Sequence, residues 1–358
     1  MNLPVDFSML GQEVTVPIFE IRVNGTPLAV PYHKAITGVS VDLVTNEPCA
    51  FALQVNDPKL ELVDAKQGIF AEGKELEIFM GYTRATQSMI AGEITSIGAN
   101  LDEGGGLTLN VHGFDKLHTG TRGTGYREFR EKKRDSDIVR EIATDMQLTA
   151  DVDVTEEQGK QQIQNHVSNL EYIQYLAKKN GFFFWVEDNK LMFKRSRDRK
   201  EIRIARGKNL ISFSTQLSTS GQTSAVEVRG WDAAQKRAFS ARAEATQSQA
   251  YIAGLSATGQ TQIKGIGSNR SERIIYADGE VGSIAEAQRL ADAELAKQQR
   301  ALFSIQGSTI GNPDIRVGNI LILEKMGRFS DVKYVVETAF HEINQSGYRT
   351  SFTASQRI

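Results

Sequence analysis

Between Val14 and Val111 the chain is cut into short runs of Val, Ile, Leu, Phe and Thr by Gly, Asn, Pro and Asp, and no other feature restricts the fold so tightly. Runs this short, rich in β-branched and aromatic residues, form strands, because such side chains pack well on a pleated surface and lose rotamer freedom in a helix. The predicted strands are Val14–Val23, Gly38–Leu43, Phe51–Val55, Glu75–Met80, Ile90–Ile97 and Leu107–Val111. Asn100-Leu-Asp-Glu-Gly-Gly-Gly106 joins the last two and offers the positive-φ positions of a hairpin.

This pattern has an echo near the end of the chain. Glu72-Gly-Lys-Glu-Leu-Glu-Ile, Ile90-Ala-Gly-Glu-Ile-Thr-Ser-Ile and Gly106-Leu-Thr-Leu-Asn-Val return as Val317-Gly-Asn-Ile-Leu-Ile-Leu, Tyr334-Val-Val-Glu-Thr-Ala-Phe and Gly347-Tyr-Arg-Thr-Ser-Phe. Aligned by eye, Gly73 matches Gly318, Glu93 matches Glu337 and Gly106 matches Gly347. A shared order of strand, long turn, strand, hairpin and strand predicts two β-barrel units of one architecture.

The middle of the chain reads differently. Ile138, Val139, Ile142, Ala143 and Met146 share one face at helical spacing, with Asp135 or Ser136 as cap. Ser168-Asn-Leu-Glu171 is a capping box, Leu170, Ile173, Leu176 and Ala177 form a stripe, and Lys178-Lys-Asn-Gly181 ends the helix. Phe182-Phe-Phe-Trp185-Val, Asp188-Asn189 and Lys190-Leu-Met-Phe193 then predict strand, turn and strand. Strands resume at Leu210–Phe213 and Ala225–Trp231, whereas Ala233 to Ser283 is Gln- and Ser-rich, weakly periodic, and expected as long loops or a protruding arm. Ser283-Ile-Ala-Glu286 opens a last helix to about Leu302, and strands follow at Phe303–Gly307, Ile320–Glu324, Tyr334–Ile343 and Tyr348–Ser355.

At 358 residues the chain suits two or three domains of about 150 residues each. Lys and Arg number 42 against 44 Asp and Glu, so the net charge of −2 supplies no global field for nucleic acid or an anionic membrane. Cys49 is the sole cysteine, which excludes an internal disulfide and a Cys-based zinc site. Met1 to Gln12 lacks the basic start and apolar stretch of a signal peptide. No uncharged apolar run approaches the roughly 18 residues that would span a bilayer.

A search for chemistry returns nothing that converges. His33, His112, His118, His166 and His341 are scattered, with no HExxH pair, and no Gly-x-Ser-x-Gly elbow occurs. Gly120-Thr-Arg-Gly123-Thr-Gly125 lacks the Lys and Ser or Thr of a phosphate loop and is expected to be a flexible loop; Lys264-Gly-Ile-Gly-Ser268 sits in polar sequence with no strand before it. Two basic clusters, Arg127, Arg130, Lys132, Lys133, Arg134 and Lys194, Arg195, Arg197, Arg199, Lys200, are interleaved with Glu128, Glu131, Asp135, Asp198 and Glu201, as on a solvated, salt-bridged surface. Phe182–Trp185 directly follows an amphipathic helix and reads as core. The pairs Asp102–Glu103 and Glu156–Glu157 lie in turns or polar segments, away from any predicted cleft. No catalytic, cofactor-binding or metal-binding residue is assigned.

Four stretches carry a family resemblance: Leu107-Thr-Leu-Asn-Val-His-Gly-Phe-Asp115 with the Arg-rich loop and Ser136-Asp-Ile; Asn169-Leu-Glu-Tyr-Ile-Gln-Tyr-Leu-Ala-Lys-Lys-Asn-Gly-Phe-Phe-Phe184 with Leu191-Met-Phe; Val226-Glu-Val-Arg-Gly-Trp-Asp232; and Asn312-Pro-Asp-Ile-Arg-Val-Gly318 through Tyr334-Val-Val, His341 and Gly347-Tyr-Arg-Thr350. In this order they resemble the late control protein D and VgrG-type hub family of contractile tails and injection systems. The fold expected is mainly β with an α+β insertion: two similar β-barrel, tube-like domains at 1–115 and 209–358, and a small α+β middle domain at 116–208. The second barrel would carry the polar arm at about 233–283 and the helix at about 284–302.

The resemblance implies a structural, non-enzymatic baseplate hub without a cofactor. It would be a homotrimer whose six barrels form a pseudo-sixfold ring between a sixfold tail tube and a threefold spike. Implied partners are itself, a separate spike protein, the tail tube or tube-initiator protein and other baseplate proteins, with no nucleic acid and no direct membrane span. Many VgrG chains continue past the equivalent of Thr353-Ala-Ser-Gln-Arg-Ile358 into a neck and spike, which here would be a separate polypeptide or a truncated segment. Assembly in the bacterial cytoplasm, then residence in a phage tail or secreted particle, is the expected localisation. The rival readings are a tail-associated peptidoglycan- or glycan-cleaving enzyme and a receptor-binding β-domain adhesin.

Overall fold

The computed structural model describes residues 16–63, 68–83, 85–101, 106–129, 133–156, 161–195, 200–217, 223–232, 236–244, 272–276, 281, 283–301, 303–330 and 332–356. Outside them fall the sequence readings on residues 1–12, 264–268 and 357–358, on Asp102, Glu103, Arg130, Glu131, Lys132, Glu157, Arg197, Asp198 and Arg199, and on most of segment 233–283.

In chain order the first part supplies β1 (Pro17–Val23), β2 (Thr26–Pro27), α1 (Val30–Ala35), β3 (Ile36–Leu43), β4 (Ala50–Asn56), β5 (Glu75–Tyr82), β6 (Ala85–Leu101) and β7 (Leu107–Asp115). The middle supplies β8 (Gly125–Phe129), α2 (Asp135–Asp145), β9 (Thr149–Val152), β10 (Gln162–Val167), α3 (Asn169–Asn180), β11 (Phe183–Glu187) and β12 (Lys190–Lys194). The last part supplies β13 (Glu201–Ala205), β14 (Leu210–Leu217), β15 (Ala225–Asp232), β16 (Arg237–Glu244), β17 (Glu272–Tyr276), α4 (Ile284–Ala301), β18 (Phe303–Ile310), β19 (Ile320–Glu324), β20 (Lys333–Asn344) and β21 (Gly347–Gln356). The fold is mainly β, as the alternation predicts.

One 13-stranded sheet runs β14-β18-β21-β20-β3-β4-β7-β6-β5-β1-β2, with β19 beside β20 and β13 beside β19. The first and last parts of the chain thus share a sheet, and they share a core. Val39, Val41, Phe51, Leu53, Ile94 and Val111 from one and Ile305, Leu321, Val336, Ala339 and Phe352 from the other lie in a single buried cluster. The expected β6–β7 hairpin forms, from Gly92 opposite Asp115 to Leu101 opposite Leu107.

The middle domain has its own core, in which Ile138, Val139, Ile142, Leu170, Ile173 and Leu176 pack on Phe182, Phe184 and Phe193. The aromatic run is core, as read. At the start of α3 the capping box is complete: Glu171 N–H reaches the Ser168 hydroxyl at 3.2 Å, and Ser168 N–H reaches the Glu171 carboxylate at 2.7 Å. Gly181 ends α3 in the left-handed conformation, φ 66°. The β11–β12 turn uses Asp188 and Asn189 at φ 48° and 57°. Asn46 ties this domain to the great sheet, because its N–H and side-chain oxygen engage Phe184 and its carbonyl accepts from Gln174.

Three readings need correction. The cap of α2 is neither Asp135 nor Ser136, for the helix already starts at Asp135 and follows Arg134 without a side-chain cap bond. Gly120–Gly125 is not one flexible loop. A 3₁₀ turn over Lys116–Thr121 buries Leu117, His118 and Gly120, and β8 begins at Gly125. Segment 233–283 is not all loop, because β16 and β17 flank β15 in a three-stranded sheet whose inner face packs on α4. The inward residues of β16 are Phe239, Ala241 and Ala243, and two alanines give too weak an apolar alternation to read as a strand. The serine cap of α4 forms as read, Glu286 N–H to the Ser283 hydroxyl at 3.2 Å.

Candidate assembly surface

The echo in the sequence is a topological repeat. In the first copy the pairing runs β5-β6-β7-β4-β3, and in the second it runs β19-β20-β21-β18-β14. Irregularities fall at the same places. The β3–β4 ladder shifts between Ile36 and Gly38, and β14–β18 shifts between Leu210 and Ser212. The β6–β7 ladder shifts between Ile94 and Ser96, and β20–β21 shifts between Val336 and Thr338. A bulge inserts one residue and reverses which face the following side chains occupy, so two coincident bulges in five strands record a shared backbone plan.

The glycines open matching turns. Gly73 at φ 83° donates to the Ile94 carbonyl at 2.8 Å, and Ile94 N–H returns to Lys74 at 3.0 Å. Gly318 at φ 85° donates to Val336 at 2.9 Å, and Val336 N–H returns to Asn319 at 3.0 Å. This register pairs Ile94 with Val336, so Glu93 corresponds to Val335 and not, as the sequence suggests, to Glu337, a difference of two residues. Alternating strands tolerate such a slip because every second position looks alike. The copies differ at one flank: β1 joins β5 antiparallel, whereas β13 joins β19 parallel.

The two copies meet at one seam, β20 against β3. Ala339 lies opposite Leu43, His341 opposite Val41 and Ile343 opposite Val39, all buried; Phe340 opposite Asp42 and Glu342 opposite Ser40 face the other way. The loop before Gly318 braces the seam. Tyr82 donates to the Gly311 carbonyl at 2.7 Å, and Gln87 donates to Asp314 at 3.0 Å. His341 touches the Ile315 carbonyl through Nε2 at 2.8 Å, so that nitrogen carries the proton, and the Nδ1 lone pair lies 3.0 Å from the Tyr348 hydroxyl and 3.1 Å from the Thr350 hydroxyl, accepting from one of them. Burial lowers the pKa of this neutral ring to about 3. Gly311 lies where a Cβ would come within 1.9 Å of the Tyr348 ring, so the loop can pass only as glycine.

Opposite the core, the sheet from β14 to β6 presents one continuous face. Its rows read Ser212, Ser308, Ser351, Phe340, Asp42, Ala50, Phe114, Glu93 and then Ile310, Arg349, Glu342, Ser40, Ala52, His112, Ser96. Serines and alanines lie there among the charged Asp42, Glu93, Glu342 and Arg349 and the exposed Phe114, Ile310 and Phe340, and the Ser212 and Ser308 hydroxyls bond across strands at 2.7 Å. Partial burial raises the pKa of Asp42.

Three of the remaining histidines have local partners, and His112 lies on the face opposite the core. His33 contacts the Phe19 carbonyl at 2.9 Å, His118 the Asp115 carbonyl at 2.7 Å, and His166 lies beside the Tyr126 ring. Among the described residues no three His, Cys, Asp or Glu side chains gather closely enough to hold a metal. Cys49 is buried, and burial, with Asp115 beside it, pushes its thiol pKa up. Four described members of the basic clusters are ion-paired, with carboxylates other than the interleaved ones: Arg127 with Asp145, Lys133 with Glu141, Lys194 with Asp151 and Asp153, and Lys200 with Asp314. No helix among the described residues is long and apolar enough to cross a membrane.

Sequence reasoning missed two strand edges. β6 continues to Leu101, beyond the predicted end at Ile97, and β14 continues to Leu217, beyond Phe213. The alternation of Ile97, Ala99 and Leu101 with Gly98 and Asn100 is the signal that could have extended β6.

Among solved structures, the fold is similar to the 43 kDa tail protein of prophage MuSo2 from Shewanella oneidensis, at 13% identity and TM-score 0.71, covering 94% of this chain and 98% of that one. It is similar to the tail protein from Neisseria meningitidis MC58, at 12% identity and TM-score 0.68, covering 95% and 96%. It is also similar to the E. coli c3393 protein, a component of the type VI secretion system with structural similarity to the T4 tail proteins gp27 and gp5, at 10% identity and TM-score 0.58, covering 94% and 77%. No curated protein matches in sequence. A family model described as the Alg8 N-terminal domain matches residues 13–345, and the chain belongs to that family.

Proposed function

We propose that this protein is a structural baseplate hub of a contractile tail or injection system, of the late control protein D and VgrG type. It works as a homotrimer whose six repeats make a pseudo-sixfold ring between a sixfold tail tube and a threefold spike. The observation that carries this reading is the pair of matched repeats joined through one seam into a continuous sheet. A chain with two copies of one sheet plan resolves a symmetry mismatch, since three chains present six similar units at one end and three identical ones at the other. The face opposite the core would line the lumen of that ring. Its charges are few and of both signs and its apolar side chains stand apart between serines and alanines, so a passing polymer meets neither a one-signed field nor a continuous apolar patch. The likeness to tail proteins and to a type VI secretion component supports the same reading.

In this reading the domains are the two barrels and the α+β middle domain, the activity is mechanical, and the partners are a separate spike, the tube or its initiator, and other baseplate proteins. The chain assembles in the bacterial cytoplasm before joining a tail or secreted particle. The test is capture by the purified chain. Retention of a tube or spike protein, with no binding or cleavage of peptidoglycan or glycan, is expected. Turnover of a glycan that one carboxylate substitution abolishes without unfolding the chain would overturn the reading in favour of an enzyme, and glycan binding without tube or spike capture would favour an adhesin.

A further inference from the structure

The seam inside the chain specifies a second seam between chains. In the second repeat β20 pairs with β21 on one side; on its other side lie β19, then β3 over residues 339–343. The corresponding strand in the first repeat is β6. It pairs with β7 on one side and with β5 only as far as Glu93 on the other. Among the described residues nothing pairs with the far edge of Ile97–Leu101, the stretch that corresponds to Ala339–Ile343. The counterpart of β3 is β14, which pairs with β18, makes one isolated bridge from Leu210 to Arg206, and is otherwise the open end of the sheet. Each repeat therefore leaves open the edge that its sister repeat has filled.

We infer that β14 of one copy adds to the distal edge of β6 of a second copy of this chain, head to tail, in the register of the internal seam. Carried through the matched bulges, that register places Ile97 opposite Leu217, Gly98 opposite Gln216, Ala99 opposite Thr215, Asn100 opposite Ser214 and Leu101 opposite Phe213. Both edges have the right chemistry. Ile97, Ala99 and Leu101 stand where Ala339, His341 and Ile343 face the core, yet Leu101 is 71% exposed in the single chain. An apolar residue kept in strand alternation at an open edge, where edge strands ordinarily carry charge, calls for a partner strand. Ser212, Ser214, Thr215 and Gln216 of β14 are exposed and uncharged, so no repulsion opposes addition.

This inference rests on the hub reading, and the experiment separates the two. The pair Asn100→Cys and Ser214→Cys, opposed on the face away from the core, is compared under mild oxidation with the out-of-register pair Asn100→Cys and Gln216→Cys, while the native mass is measured on the same samples. Cys49 is buried and contributes little background. The expected result is conversion of most of the in-register sample to two- and three-chain products, with little from the other pair. Leu101→Lys, at a position exposed in the single chain, is expected to shift the wild-type mass distribution toward monomer with an unchanged melting temperature. A trimer that cross-links in neither or both pairs equally overturns the seam and leaves the hub reading intact. A chain that stays monomeric at high concentration with no cross-link also overturns the seam. A dimer or tetramer overturns the hub reading as well.

Discussion

Two buried ionisable residues push the protein's response to acid in opposite directions. His341 is neutral in the folded chain with its pKa lowered to about 3 by burial, so protonation of the unfolded chain near its ordinary value removes stability as the pH falls from about 6.5 toward 3. Asp115 is pushed up to about 7 by burial, against the N–H groups of Cys49 and Leu117 that bind its carboxylate at 3.1 and 3.0 Å. Its folded pKa lies above the unfolded one, so it removes stability as the pH rises from about 4 to 7. Each slope is about 1.4 kcal/mol per pH unit, and between pH of about 4 and 6.5 the two cancel. Unfolding free energies measured in urea across that range should therefore slope upward with pH in Asp115→Asn and downward in His341→Gln. If both variants keep the wild-type profile, the buried protonation states are assigned wrongly.

At the scale of elements, the repeat depends on how a strand is entered. Gly73 and Gly318 share φ near 85° and the same pair of hydrogen bonds, so Gly73→Val and Gly318→Val should each cost about 1–3 kcal/mol through strain of a β-branched residue in that conformation. At Gly73 an added Cβ meets nothing within 4 Å, so the loss there would be backbone strain alone. Denaturant titration checks it, and unchanged stability in both variants would contradict the shared turn. The sequence already showed the strands of the first part, the capping box of Ser168 and Glu171, and the glycine pair, because each is a local signal of alternation, spacing or residue type. It did not show β16, whose inward face is Phe239 and two alanines, or the slip of two residues at Glu93, because bulges leave no mark in an alternating pattern. The far end of β6 was hidden because Gly98, Ala99 and Asn100 resemble a loop until their partner strand is considered.

For the whole molecule, the proposed function rests on the symmetry of the two repeats. Its candidate surface was only half legible in the sequence. The repeat could be read there, but the seam, the shared core and the face opposite it exist only once strands distant in the chain lie side by side. In the reading proposed above, two matched units and two complementary open edges let the chain close on copies of itself. The most direct measurement is the mass of the hub in an intact particle, or of the purified chain bound to its spike. The account predicts three copies of this chain per assembly; a stable assembly with two or four would contradict it.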